Sequence, residues 1–173
     1  MIKVNPSSDP LDNSPTVYLG LRIASDAVEQ PTPLSHPDGV KVALVPPGHE
    51  DVVGIEIEVA TRDLALARKF WVEGLGAEEL SGGRFRVGDS VVRCSVEPNL
   101  VPMEARQGKG FRYLTVQVFN CDQEHERITG LGFASGLAPV TLGGLARICF
   151  VRDSDGGWVE VSQRSNLTGA LPK

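Results

Sequence analysis

The run Asp153-Ser154-Asp155-Gly156-Gly157-Trp158-Val159-Glu160 reads as a tight polar turn feeding a strand, and it delivers one inward-pointing carboxylate, Glu160, close to the C-terminus. A carboxylate in that position has two ordinary uses. It can pair with a cation, in which case Arg93 is the candidate partner, for Glu160 or for the second strand carboxylate Glu56. Alternatively, burial raises its pKa and it works as a general base, with the Tyr113 hydroxyl donating a hydrogen bond to a substrate oxygen. Other catalytic patterns are thin. There is no Gly-x-x-x-x-Gly-Lys-Ser/Thr, Gly108-Lys109-Gly110 lacks the context of a phosphate loop, and no Ser, His and Asp set suggests a triad.

The elements that must position these groups fall into two units of the same rhythm, residues 53–100 and 111–164. Each has a strand, a helix and then shorter strands separated by Gly-rich turns. In the first unit Gly54-Ile55-Glu56-Ile57-Glu58-Val59 alternates polar and apolar, as a strand with one face on a core does. Thr61 or Asp63 caps a helix with Leu64, Ala67, Phe70 and Trp71 at helical spacing, which makes the two aromatics packing residues, and Gly74 or Gly76 ends it. Residues 84–87 and 91–96 complete a meander. In the second unit residues 113–118 alternate strictly, Asn120 or Asp122 opens an acidic-headed helix over residues 123–129, and strands follow at 139–142, 145–151 and 158–162. Residues 101–110 are the linker.

Bulk properties bound the rest. At 173 residues the chain holds one ordinary domain, and 41% hydrophobic with 23% charged residues is a globular composition. A net charge of -5 with interleaved signs argues against a nucleic-acid partner. No apolar run suits a signal peptide or a membrane span, so the expected location is cytoplasmic. Cys94, Cys121 and Cys149 are isolated and odd in number, which suits free buried thiols, and the Asn166-Leu167-Thr168 sequon is a chance match.

Two motifs together carry a resemblance: Asp63-Leu64-(x)5-Phe70-Trp71-(x)2-Gly74-Leu75-Gly76 after a strand, and the closing run from Asp153 to Glu160. Residues 53–164 resemble the vicinal oxygen chelate superfamily of glyoxalases, bleomycin-resistance proteins and extradiol dioxygenases. The resemblance implies an α+β fold of two paired βαβββ modules forming a half-open eight-stranded barrel, and a homodimer built through strand edges or helices. It also implies a divalent metal (Fe, Mn, Zn, Ni or Mg), held by a His, Gln or Glu on the first strand of each module and an acid on the closing strand. Here those positions carry Gly54, Tyr113 and Glu160, and only Glu160 is a competent ligand, against about three that a catalytic ion needs. A register shift would bring Glu56 or Gln117 forward. Within such a barrel Glu56, Arg93, Tyr113 and Glu160 line the cavity, with Thr115, Gln117, Trp158 and Ser162 nearby. His36, His49 and His125 fall off the cavity strands, and His125 reads as a solvated side chain on the acidic helix.

Residues 1–15 read as a flexible N-terminus and residues 16–50 as an N-terminal β-hairpin resembling half a module, added to a sheet edge within the subunit or across a dimer. Residues 51–165 form the glyoxalase/bleomycin-resistance-like domain, with modules 53–100 and 111–164, and residues 166–173 are a tail. The functional expectation is a protein that binds a small organic molecule in the barrel cavity without a complete metal site. The alternatives are a metal-dependent lyase, isomerase or ring-cleaving dioxygenase with an atypical site including Glu160, and a non-catalytic assembly module docking through the N-terminal half module.

Overall fold

The computed structural model describes residues 11, 13–35 and 40–172, so His36 and most of the expected flexible N-terminus lie outside the described residues. In chain order the strands are β1 (Tyr18–Ala24), β2 (Thr32–Leu34), β3 (Lys41–Val45), β4 (Ile55–Thr61), β5 (Glu78–Glu79), β6 (Arg84–Val87), β7 (Ser90–Val96), β8 (Tyr113–Gln117), β9 (Ala134–Leu142), β10 (Ala146–Arg152) and β11 (Trp158–Arg164). Helices α1 (Leu64–Arg68), α2 (Cys121–Gly130) and α3 (Ser165–Thr168) interleave with them.

The strands form two sheets rather than the expected single eight-stranded barrel: a seven-stranded one ordered β2-β3-β1-β4-β7-β6-β5 and a four-stranded one ordered β8-β11-β10-β9. The two units are nonetheless built alike. In each, the first strand pairs in parallel with the last, β4 with β7 and β8 with β11, and the middle strands follow antiparallel. What separates them is β1, which pairs antiparallel with β4 and occupies that strand's outer edge. The N-terminal segment is also not the simple hairpin expected. β2 and β3 are antiparallel, but β1 runs parallel to β3, so the segment reproduces the strand order of a module without its helix.

Local chemistry explains the helices. Asp63 caps α1 by accepting from the amides of Ala65 and Leu66 at 2.8 and 3.2 Å, and Asn120 caps α2 through the Gln123 amide. After Arg68 the first helix widens into a π-helical turn over Lys69–Gly74 that buries Phe70 and Trp71. These helices face each other. Lys69 donates to the Leu131 carbonyl at 2.9 Å, Arg127 donates to the carbonyls of Glu73 and Gly74, and the Phe70 and Phe133 rings meet edge to face at 5.0 Å. One core of Val59, Phe70, Trp71, Phe85, Met103, Ile128, Val151, Val159 and Val161 runs through both sheets. Since strand side chains alternate, the intervening residues of each sheet point away from it.

The turn expected ahead of Glu160 exists and is heavily tied. Asp153 Oδ1 accepts from the amides of Asp155 and Gly157 at 2.9 and 2.7 Å. Asp155, which is 2% exposed, accepts from Thr61 Oγ1 at 2.7 Å and Arg62 Nε at 2.6 Å, and its carbonyl takes the Met103 amide. Gly156 has a φ of 84°, and a Cβ there would drive into the Met103 carbonyl oxygen, so only glycine fits.

Burial pushes the Asp153 carboxyl up to about 6, the two amide bonds opposing that rise only in part. A folded pKa above the unfolded one means the native state binds the proton more tightly, so stability falls as pH rises from about 4 to about 6 and is then flat. Both amides converge on one oxygen, which an asparagine carbonyl reproduces. Asp153→Asn should therefore lose this component of the pH dependence, with a difference from wild type on the order of 1–2 kcal/mol appearing between pH 4 and 7 in urea unfolding. Parallel stability curves for the two proteins would refute this account.

Candidate functional site

Two polar faces exist, one per sheet, each turned away from the shared core. On the first, Glu56 is fully buried. Its register partner across β1 is Arg22, which reaches Oε1 through Nε at 2.9 Å and Nη2 at 2.5 Å, while Arg84 from β6 bonds Oε2 at 2.8 Å. The turn before β4 supplies more acid. Glu50 and Asp51 adopt positive φ values of 47° and 63°, a conformation non-glycine residues rarely take, and their carboxylates reach Arg22 at 2.5 Å and Arg84 at 3.4 Å. The expected role of Arg93 is thereby corrected: it pairs with neither Glu56 nor Glu160 but with its own register partner Glu58 at 3.6 Å. Glu56 has two closer guanidiniums, and Arg93 lies on a different sheet from Glu160.

The second face is the open side of the four-stranded sheet, where register places Tyr113 beside Trp158, Thr115 beside Glu160, and Gln117 beside Ser162. Across β10, Phe150 is the partner of Glu160 and Ile148 of Ser162. Glu160 is only 6% exposed and, among the described residues, makes no hydrogen bond or ion pair, and the buried Ser162 Oγ has no partner. Aromatic rings surround them: Tyr113 and Phe150 meet edge to face at 5.3 Å, and Phe150 and Trp158 at 6.0 Å. The Trp158 indole lies over β9 at Gly136, where a Cβ would collide with the ring, and its Nε1 donates to the Glu104 carbonyl at 3.2 Å. Arg106, from the linker after β7, stacks on Phe150 with its guanidinium carbon 4.7 Å from the ring centre, and Arg152 stacks on Trp158 at 5.0 Å.

The expected site residues therefore divide. Tyr113, Thr115, Gln117, Trp158, Glu160 and Ser162 share one sheet face. Glu56 and Arg93 sit on the other sheet and do not join them. Phe150, Arg106 and Arg152 were not anticipated. Alternation along β10 from Ile148 to Arg152 could have exposed Phe150, but no pattern in the linker marks Arg106. His49 belongs to the turn before β4, and His125 bonds Ser135 Oγ at 2.8 Å through Nε2.

The donors do not fit the divalent ion the family resemblance implies. Gly54 offers no side chain, and Glu56 is saturated by two arginines. Gln117 turns its amide nitrogen onto the Val118 carbonyl, and no group of three or more His, Cys, Asp or Glu suited to a metal occurs among the described residues. Two clefts lie elsewhere. One of about 470 Å³ beside α1 is lined in part by Arg68 and Glu79, which already pair at 2.8 Å. A smaller one, of about 160 Å³, borders Arg62 and Asp155, which also pair.

The βαβββ topology, repeated once in full, with a carboxylate on the closing strand, defines the class. The chain belongs to the Glyoxalase/Bleomycin resistance protein/Dioxygenase superfamily, the vicinal oxygen chelate group, whose family model matches residues 55–161. Among solved structures it is similar to a glyoxalase-related enzyme from Fulvimarina pelagi, at 18% identity over 63% of this chain and 86% of that one with a TM-score of 0.51. A glyoxalase/dioxygenase from Nostoc punctiforme matches at 22% identity over 63% of this chain and 88% of that one with a TM-score of 0.49. TioX from Micromonospora sp. ML1 matches at 22% identity over 63% of this chain and 96% of that one, also at 0.49. At these identities the likeness concerns the fold alone. No curated protein matches the chain. No helix among the described residues is long and apolar enough to cross a membrane.

The two carboxylates invite a direct comparison. Glu56→Gln strands two guanidiniums and should destabilise the fold by about 3 kcal/mol, as breaking a buried pair typically does. Glu160→Gln removes an uncompensated charge and should be neutral or stabilising. Chemical denaturation of both variants at neutral pH checks this, and equal losses would contradict the assignment.

Proposed function

We propose that the chain binds a small organic molecule on the open face of the four-stranded sheet, as a cytoplasmic homodimer and without a complete metal site. The observation that carries the reading is Glu160, a nearly buried carboxylate with no partner of its own, beside the unpartnered Ser162 hydroxyl and between Phe150, Trp158 and Tyr113. The Glu160 oxygens keep contact with solvent, unlike the buried Ser162 hydroxyl, so a ligand donor can take the place of water on the carboxylate. The face asks for an apolar body with a hydrogen-bond-donating or cationic group: rings and the exposed side chains of Leu137 and Val140 supply the contact area, and Glu160 takes the donor. Arg106 and Arg152 show that two of the rings accept a cation.

A second reading is supported by the shared face of Tyr113 and Glu160: metal-independent proton transfer, with Glu160 as base and the Tyr113 hydroxyl donating to a substrate oxygen. It requires turnover that Glu160→Gln abolishes. The assembly-module reading has less support, because β1 already serves as a structural strand on β4.

Thermal shift and calorimetry with a panel of aromatic amines and their uncharged counterparts test the binding reading. A ligand at about 100 times its Kd adds about 2.7 kcal/mol, several degrees of Tm, and Glu160→Gln should erase the gain for the amines. No shift with any compound would count against it. Elemental mass spectrometry showing stoichiometric metal that disappears in Glu160→Gln would replace it with the metal-dependent lyase or dioxygenase.

A further inference from the structure

We infer that the molecule held on the face of Glu160 is amphoteric, with an ammonium or other donor that meets Glu160 and a carboxylate that meets Arg106. The inference rests on the binding face proposed above and narrows the class of ligand that fits it. An aromatic amino acid is the simplest molecule of that description.

Arg106 belongs to neither sheet, yet the linker fixes where it stands. Met103, Glu104 and Ala105, just before it, are each tied through the backbone. Met103 donates its amide to the Asp155 carbonyl at 2.9 Å and accepts from Arg152 at its own carbonyl. The Glu104 carbonyl takes the Trp158 indole N–H at 3.2 Å. The Ala105 carbonyl takes the buried Arg112, which also holds the carbonyls of Ser14 and Pro15. The next side chain is thereby delivered onto Phe150, with the guanidinium carbon 4.7 Å from the ring centre. Phe150 is the register partner of Glu160, and register partners share a sheet face, so the cation and the carboxylate are set around the same ring.

The two charges do not satisfy each other. Among the described residues Arg106 makes no hydrogen bond or ion pair, with Glu160 or with any other group. Arg152 offers the contrast. It too stacks on a ring, Trp158 at 5.0 Å, but its N–H groups are spent on the carbonyls of Gly156 and Met103. Arg152 is thus a fastening for the turn, whereas the exposed Arg106 keeps its N–H donors for an acceptor from outside.

Opposite charges left open around one aromatic floor select a ligand that carries the complementary pair. A purely cationic ligand meets Arg106 as a like charge, and a purely anionic one meets Glu160. Only a molecule with both groups is attracted at both ends. A carboxylate suits the guanidinium because its two oxygens match the planar fork of N–H groups.

Calorimetric titration of the full chain at neutral pH with 2-phenylethylamine, phenylalanine and 3-phenylpropionate tests this, since the three share a ring and differ in their charged groups. Phenylalanine should bind roughly fivefold more tightly than the amine, the upper end of what an exposed ion pair contributes. Raised salt should shrink that gain. Arg106→Gln should bring the ratio to one or below, because Glu160 then repels the carboxylate without compensation, and Arg106→Lys should keep part of it. An amine that binds with no gain from the carboxylate, or a gain that survives in Arg106→Gln, overturns the amphoteric ligand and leaves the binding face standing. A wild type that binds none of the three compounds overturns it too and counts against the face as well.

Discussion

The turn from Asp153 to Gly157 is the joint on which the two halves of the molecule depend. Asp155 holds Thr61 and Arg62 at the end of β4, its carbonyl holds the Met103 amide of the linker, and Gly156 and Gly157 press against Met103 and Val17 with no room for a side chain. Three separate segments thus converge on five residues. Burial alone would raise the Asp155 carboxyl, but Arg62 and the Thr61 hydroxyl hold it below its ordinary range, so the charge that ties the halves together is present throughout the neutral region. The same turn launches β11, so the position of Glu160 follows from the joint that orients the two sheets.

From that joint the modules diverge in how they treat a carboxylate on the outer face. In the first, space and charge are filled from within: two guanidiniums from neighbouring strands and two acids from a strained turn close a network over Glu56. In the second, the comparable space holds rings, an unpartnered hydroxyl and Glu160 without a counter-charge. The first arrangement is held rigid by charge-assisted hydrogen bonds among its own residues, and the second leaves its carboxylate without a protein partner. The same contrast appears at the edges, since β1 covers β4 and nothing described covers β8.

Much of this was legible in the sequence because it rests on local periodicity. Alternation in residues 54–59 and 113–118, the caps Asp63 and Asn120, and the polar turn before Glu160 are short-range signals, and the structure places an element at each. β9 begins at Ala134, earlier than its apolar residues suggest, because an edge strand exposed on both sides has little hydrophobic pattern to show. The single barrel failed for a long-range reason: which strand lies against β4 is decided by β1, more than thirty residues away in sequence at the Arg22–Glu56 pair, and no local pattern encodes that choice. The partners of Glu56 were misassigned for the same reason. Arg93 lies on the parallel strand two residues beyond the register partner of Glu56, whereas Arg22 and Arg84 come from strands whose adjacency only the assembled sheet reveals.

An odd number of half-barrels in one chain has a consequence for how its site could have arisen. A module pair encloses a face, and here the truncated N-terminal module has taken the place beside β4 that a complete second module would otherwise fill. With β4 so occupied, β11 and its Glu160 can no longer be faced by β4 and Glu56 from the same chain. The first-strand ligand positions at Gly54 and Tyr113 are then released from acting together on one ion, and each face can drift to its own solution, an internal ion cluster on one and an aromatic, acid-bearing surface on the other. On this argument the unsuitability of Gly54 and Tyr113 as joint ligands and the presence of β1 against β4 have one structural cause.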